Sequence, residues 1–182
     1  MNKIIIDIDH TFAPFLIYEA VKELYGVEAA IEDSTDWEWY KKFGLTEKEF
    51  YRAVDLAHEN LWKTSPYPYA VEAVNEWAKK IPIIFATHRE PHNICYIAEW
   101  LGSFGVNYHG VYCAMGGKEC LFNAGDIVID DKPDTLQTAW NGGCLPASLE
   151  WPWNSQTKEM LDIYIPLCKD WVELKEKVDE WI

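Results

Sequence analysis

Two short runs rich in β-branched residues, KIII at 3–6 and DIVID at 126–130, each lead into a pair of aspartates. Each run is predicted to be a buried strand that carries its last residues to an edge of the sheet, where α/β proteins place their chemistry. From residue 70 onward strand and helix patterns alternate: helix 70–80, strand 81–86, helix 91–103, strands 108–113 and 126–130, helix 133–141, strand 144–148, a Trp-Pro-Trp loop, strand 162–165 and a last helix 169–182. That rhythm implies an α/β fold, a Rossmann-like parallel sheet with helices on both faces.

The segment between the first two strands breaks the rhythm. Phe15, Ile17, Ala20, Val21 and Leu24 have helical spacing and stop at Gly26, and Thr46 with Glu49 forms a capping box before a helix running to about residue 62. The stretch 27–65 is acidic and aromatic and carries no strand signal. It reads as a small helical cap inserted after the first strand, with the cap at 15–65 and the core at 1–14 and 66–182.

A formal net charge of −14 opposes binding to nucleic-acid polymers or to an anionic membrane, since either needs a basic face. The expected partner is a small-molecule phosphate monoester, because a metal and one or two cations override the global field at contact distance. The chain has only two arginines, Arg52 and Arg89. Its five cysteines form no CxxC pair, and the apolar run at the N-terminus is too short for a signal peptide, so a reducing, cytoplasmic setting is expected. Nothing in the sequence decides between a monomer and a homodimer.

Asp7 and Asp9 follow the first run, and Asp130 and Asp131 end the other. Either pair alone suits a solvated turn, but four acids gathered at one sheet edge are costly to bury without a cation. A hard divalent ion, Mg²⁺, removes that cost and holds a phosphate oxygen. Period-two alternation puts Asp7 and Asp9 on one side of an extended strand. One carboxylate can then attack phosphorus while the second, protonated, gives its proton to the leaving oxygen and later activates water. The plainer role for Asp9 is to stabilise its turn.

DIDHT at 7–11 resembles the first motif, DxDx[TV], of the haloacid dehalogenase superfamily of phosphotransferases, and three further motifs follow in that superfamily's order: Thr87, Lys118 and Asp130–Asp131. The resemblance implies Asp7 as nucleophile and metal ligand, Asp9 as acid/base and as a metal ligand through its backbone carbonyl, Asp130 and Asp131 as metal ligands, and Thr87 and Lys118 as the clamp on the phosphoryl oxygens. Thr87 also suits a helix N-cap, and Lys132 is an alternative to Lys118. A signalling receiver domain places its acidic pair near the N-terminus and its phosphorylated aspartate on a later strand, the reverse of the order here.

IVIDDKPDT followed by Trp-Pro-Trp-Asn, and PYPYAVEAVNEWAKK before the second strand, are similar to the cytosolic 5′(3′)-deoxyribonucleotidases. That likeness implies hydrolysis of deoxyribonucleoside monophosphates beneath a small helical cap. This chain departs from the pattern at His10, where that family usually has glycine, and at FATHRE around Thr87. His10 is a candidate contact to the phosphate or leaving group, or else a polar rim residue; Arg89 is a candidate phosphate contact, or else a helix-start residue. Trp37, Trp39, Tyr40 and Phe43 could stack on a base or pack the cap's own core. His88 and His92 have metal-binding helical spacing but fall in a helix-start loop. The same chemistry on a sugar phosphate is the alternative. A non-catalytic binding protein would lack a motif residue, and none is missing.

Overall fold

The computed structural model describes residues 2–36, 38–114, 116–155 and 165–182. Six strands form one sheet: β1 (Ile4–Ile6), β2 (Ile83–Thr87), β3 (Gly110–Cys113), β4 (Ile127–Ile129), β5 (Leu145–Leu149) and β6 (Leu167–Cys168). All neighbours are parallel, in the order β3-β2-β1-β4-β5-β6. The described helices are α1 (Ile17–Tyr25), α2 (Glu47–Glu59), α3 (Ala70–Trp77), α4 (Ile94–Ser103), α5 (Pro133–Asn141) and α6 (Trp171–Asp179).

β1 and β4 are buried along their whole length because both faces of the sheet are covered. Ile4, Ile6, Ile83, Phe85, Ile127 and Ile129 face one core with Trp77 of α3, Leu101 of α4 and Trp171 of α6. Ile5, Ala86 and Val128 face the other, against Ala139 of α5. The alternation along each strand therefore separates two hydrophobic layers.

The cap lies between β1 and β2. α1 packs against α2, and Ile17, Ala20, Val21, Trp39, Tyr40, Leu45, Ala53 and Ala57 form a separate apolar cluster. α1 stops at Gly26, whose φ of 69° lets the chain reverse. α2 starts at the expected box: Glu49 N–H donates to Thr46 Oγ1 at 3.3 Å, and Thr46 N–H donates to the Glu49 carboxylate at 2.8 Å.

Several boundaries differ from expectation by local chemistry. β2 begins two residues late because Pro82 has no N–H for the ladder, and it continues through Thr87. The helix expected over 46–62 ends at Glu59 and becomes a tighter turn, Leu61–Lys63. A similar turn, Pro91–Asn93, precedes α4. The short β6 was not anticipated, and the strand expected at 162–165 lies almost wholly outside the described residues. Among those residues no helix is long and apolar enough to cross a membrane.

Trp171 is 1% exposed, packs on Phe12 and Trp77, and donates its indole N–H to Thr11 O at 3.0 Å. Trp171→Ala is expected to lower the free energy of unfolding by about 3–5 kcal/mol, and Trp171→Phe by about 1–2 kcal/mol, in equilibrium urea titrations. A loss below about 1 kcal/mol for the alanine variant would remove α6 from the cooperative core.

Candidate active site

Adjacent β1 and β4 mark the point where the strand order reverses direction, and in open α/β sheets ligands bind outside the carboxyl ends of the strands at such a point. Ladder bonds hold both acidic motifs there. Asp7 N–H donates to Ile129 O at 2.9 Å, and Asp130 N–H donates to Ala147 O at 3.3 Å.

Lys118, in the segment between β3 and β4, is 2% exposed. Its Nζ lies 2.6 Å from Asp7 Oδ1 and 2.7 Å from Asp130 Oδ2, so one ammonium bridges the ends of the two central strands. Lys132 also reaches the cavity, but its backbone N–H is what donates to Asp130 Oδ1, at 2.9 Å. Asp131 accepts from the Trp153 indole at 3.1 Å, and its carbonyl accepts from Asn154 Nδ2 at 3.2 Å.

Asp7, Asp130 and Asp131 each present one carboxylate oxygen, and the three oxygens lie within 4.8 Å of one another. This buried, all-oxygen set suits a hard divalent cation. Burial raises the Asp7 carboxyl to about 7, with Lys118 opposing and Asp130 and Asp9 adding to the rise. Burial and the charges of Asp130 and Asp7 likewise push Asp131 well above the usual carboxylate range. For Lys118 burial favours the neutral amine, but Asp130 and Asp7 outweigh it and hold the ammonium.

Asp9 takes different partners. β1 ends at Ile6, and Ile8 O accepts the N–H groups of Thr11, Phe12 and Ala13, so Asp9 sits in a tight loop rather than on a strand pleat. Its carboxylate is gripped by both arms of a fork: Arg89 Nε donates to Oδ2 at 3.1 Å and Nη2 to Oδ1 at 2.5 Å. Arg89 Nη1 donates to His58 O, near the end of α2, at 2.9 Å, and His58 Nε2 lies 3.6 Å from Asp9. Burial alone would raise the Asp9 carboxyl, but Arg89, His58 and His10 bring it down to about 2.

A cavity of about 420 Å³ opens over this edge. Asp7, Asp9, Lys118, Asp130 and Asp131 line its floor, and Phe15, Tyr18, Trp39, Phe50, Val54, His58 and Trp153 line its walls. Of the expected aromatics Trp39 lines it, whereas Tyr40 stacks on Phe50 at 4.3 Å and Phe43 packs edge-on to Trp39, both within the cap's cluster. Trp37 lies outside the described residues. Thr87, fully buried at the end of β2, accepts the Arg89 N–H at 3.3 Å and does not line the cavity, nor does Arg89. His10 and His88 line it; His92 is turned to Asn93. Sequence reasoning missed His58, Phe15, Tyr18 and Phe50, because helical periodicity marks a face without saying what that face covers.

The chain has the fold of the haloacid dehalogenase-like hydrolases. In overlap with solved structures it reaches a TM-score of 0.68 with a haloacid dehalogenase-like hydrolase of Streptococcus pneumoniae, at 12% identity over 98% of both chains. With a predicted phosphatase of Clostridium acetobutylicum it reaches 0.69 at 11% identity, again over 98% of both. A hydrolase of this group from Deinococcus radiodurans, solved with phosphate and sodium bound, gives 0.68 at 12% identity, over 100% of this chain and 96% of that one. In sequence the chain is 26% identical over 179 residues to a suspected nucleotidase of Halalkalibacterium halodurans, covering 94% of this chain and 87% of the relative. No family profile matches.

Removing the Lys118 ammonium would leave Asp7 and Asp130 buried without their shared counter-charge. Lys118→Met is expected to cost about 3–5 kcal/mol of stability in EDTA, with part of the loss recovered when millimolar Mg²⁺ is added. Urea titrations in the two buffers check this, and a variant as stable as the parent in EDTA would contradict the account of the cluster.

Proposed function

We propose that the protein is a Mg²⁺-dependent phosphomonoesterase that works through an aspartyl phosphate on Asp7 and acts on deoxyribonucleoside monophosphates. The observation that carries this reading is the bridging of Asp7 and Asp130 by Lys118, with Asp131 completing an oxygen cluster beneath one aromatic-walled cavity. Asp7, Asp130 and Asp131 would hold the cation, joined by the backbone carbonyl of Asp9. When bound, the ion supplies positive charge against the carboxylates and the phosphoryl oxygens.

In the proposed cycle an Asp7 carboxylate oxygen bonds to phosphorus as the ester P–O bond breaks, and the leaving oxygen takes a proton from Asp9. Water then gives a proton to Asp9, its oxygen bonds to phosphorus, and the Asp7–phosphorus bond breaks to release inorganic phosphate. Lys118 neutralises the phosphoryl oxygens throughout, and Thr87 would be a second phosphate contact, its hydroxyl accepting the Arg89 N–H at the buried end of β2 in the ligand-free arrangement. In the ligand-free arrangement Asp9 is a carboxylate held by Arg89. An incoming phosphate dianion disfavours that charge and so favours the protonated acid the first step needs.

The nucleotide reading is supported by the aromatic walls, which suit a flat base better than a polyhydroxylated sugar, and by a volume in the range of small-ligand sites. The likeness to a suspected nucleotidase points the same way.

The test is phosphate release from a panel of deoxy- and ribonucleoside monophosphates and sugar phosphates, with Mg²⁺ and with EDTA. Mg²⁺-dependent release from one or a few deoxynucleotides is expected, and release from sugar phosphates alone would overturn the substrate. Asp7→Asn is expected to abolish turnover with an unchanged circular dichroism spectrum; substantial activity in the pure variant would overturn the nucleophile.

A further inference from the structure

His10 occupies a position built for another residue. Its φ is +56°, a left-handed backbone conformation that glycine adopts freely and that a side chain with a Cβ resists. The other described non-glycine residue with positive φ, Tyr69, is an exposed residue at the start of α3. His10 instead is more than nine-tenths buried, next in sequence to Asp9.

The imidazole is enclosed by aromatic rings. Its centroid lies 5.0 Å from Trp153, 5.4 Å from Trp151, 5.8 Å from Phe15 and 6.3 Å from Tyr18. His10, Phe15, Tyr18 and Trp153 all line the cavity above Asp7. The backbone is fixed as well, since Trp151 donates its indole N–H to His10 O at 2.9 Å. Yet Nδ1 of His10 is buried with no hydrogen-bond partner. A strained backbone and an unsatisfied buried polar atom in one residue both work against stability, and such costs cluster where a ligand recovers them.

We propose that His10 is a specificity-determining residue of the leaving-group subsite, an inference that rests on the nucleotidase reading above. The ring is the wall beside Asp9 against which the sugar of the bound ester lies. The unpaired Nδ1 is the group that a hydroxyl of that sugar would satisfy. A leaving group too small to reach the aromatic enclosure gains nothing from either feature.

The test compares kcat/KM for the best deoxynucleoside monophosphate with that for acetyl phosphate, in the full-length protein with Mg²⁺, for the parent and for His10→Gly, His10→Asn and His10→Phe. His10→Gly removes wall, polar atom and backbone strain. It is expected to lower the nucleotide-to-acetyl phosphate ratio roughly tenfold or more, mostly through the nucleotide KM. His10→Asn, which tolerates the left-handed backbone and keeps a polar atom, and His10→Phe, which keeps only the wall, should each lose part of the ratio. Equal losses on both substrates, or an unchanged ratio, would overturn the inference. If the parent hydrolyses acetyl phosphate but no nucleotide, the nucleotidase reading fails on its own. The ratio is then taken with the best ester of the panel, and a His10→Gly ratio unchanged there still overturns the role of His10.

Discussion

Three buried carboxylate oxygens within 4.8 Å of one another can be held only if protons or positive charge neutralise them, and in this chain Lys118 brings positive charge to Asp7 and Asp130. With a formal net charge of −14 the molecule as a whole works against such a cluster, so the compensation must be local. The ammonium is placed by the segment leaving β3, and the acids by the ends of β1 and β4, so the parallel sheet has to register before the charges meet. The geometry of the site therefore depends on the register of the sheet. Breaking the bridge leaves bare charges in a low-dielectric interior, a larger cost than any surface pair could impose.

The same edge separates two aspartates that are next-but-one neighbours. Asp7 faces burial and two acids and is pushed up; Asp9, partly buried, faces a two-armed guanidinium and is pulled down. Environments that drive two titratable groups apart are a recurring route to distinct acid and nucleophile roles. In the proposed cycle the order would be the opposite, with Asp7 charged and Asp9 protonated, and a cation held by Asp7 and an anion beside Asp9 would move each in that direction. Because Arg89 also donates to His58 O, the group that holds Asp9 is tied to the end of the cap helix α2.

Much of this could be read from the residues. The β-branched runs fixed the central strands, the Thr46–Glu49 box fixed the start of α2, and α5 falls where periodicity put it, at 133–141. The motif order pointed to Asp7, Lys118, Asp130 and Asp131, and the structure places the Lys118 ammonium between Asp7 and Asp130. What escaped was tertiary. Arg89 reads as a phosphate contact or a helix-start residue, because nothing local says that a fully buried guanidinium will close on an acid eighty positions away. Tyr40 and Trp39 are adjacent in sequence and both pack in the cluster of α1 and α2, yet of the two just Trp39 also reaches the cavity, a choice made by the turn at 39–43 and not by residue type. The same holds for Asp9, whose place beside Asp7 comes from the loop that Ile8 O closes and not from strand alternation.

That loop explains part of the chain's unusual use of tryptophan. Residues 8–13 carry the acid/base candidate and His10, and a loop of this size would fluctuate if its carbonyls were left to solvent. Instead Trp151 donates to His10 O, Trp171 donates to Thr11 O, and Tyr67 N–H donates to Phe12 O at 2.9 Å. The two indoles come from the loop after β5 and from α6, so distant parts of the core hold three consecutive residues from outside. Trp153, stacked on Trp151 at 5.4 Å, extends this support to Asp131 and contacts the His10 ring. An aromatic side chain does this economically, because it buries a large apolar area, has few rotatable bonds and still offers one N–H. A site whose reacting atoms must be held to fractions of an ångström needs rigid support of that kind. The ring at position 10 belongs to the same framework, so the wall of the cavity and the anchoring of the loop at 8–13 are built from a single aromatic cluster.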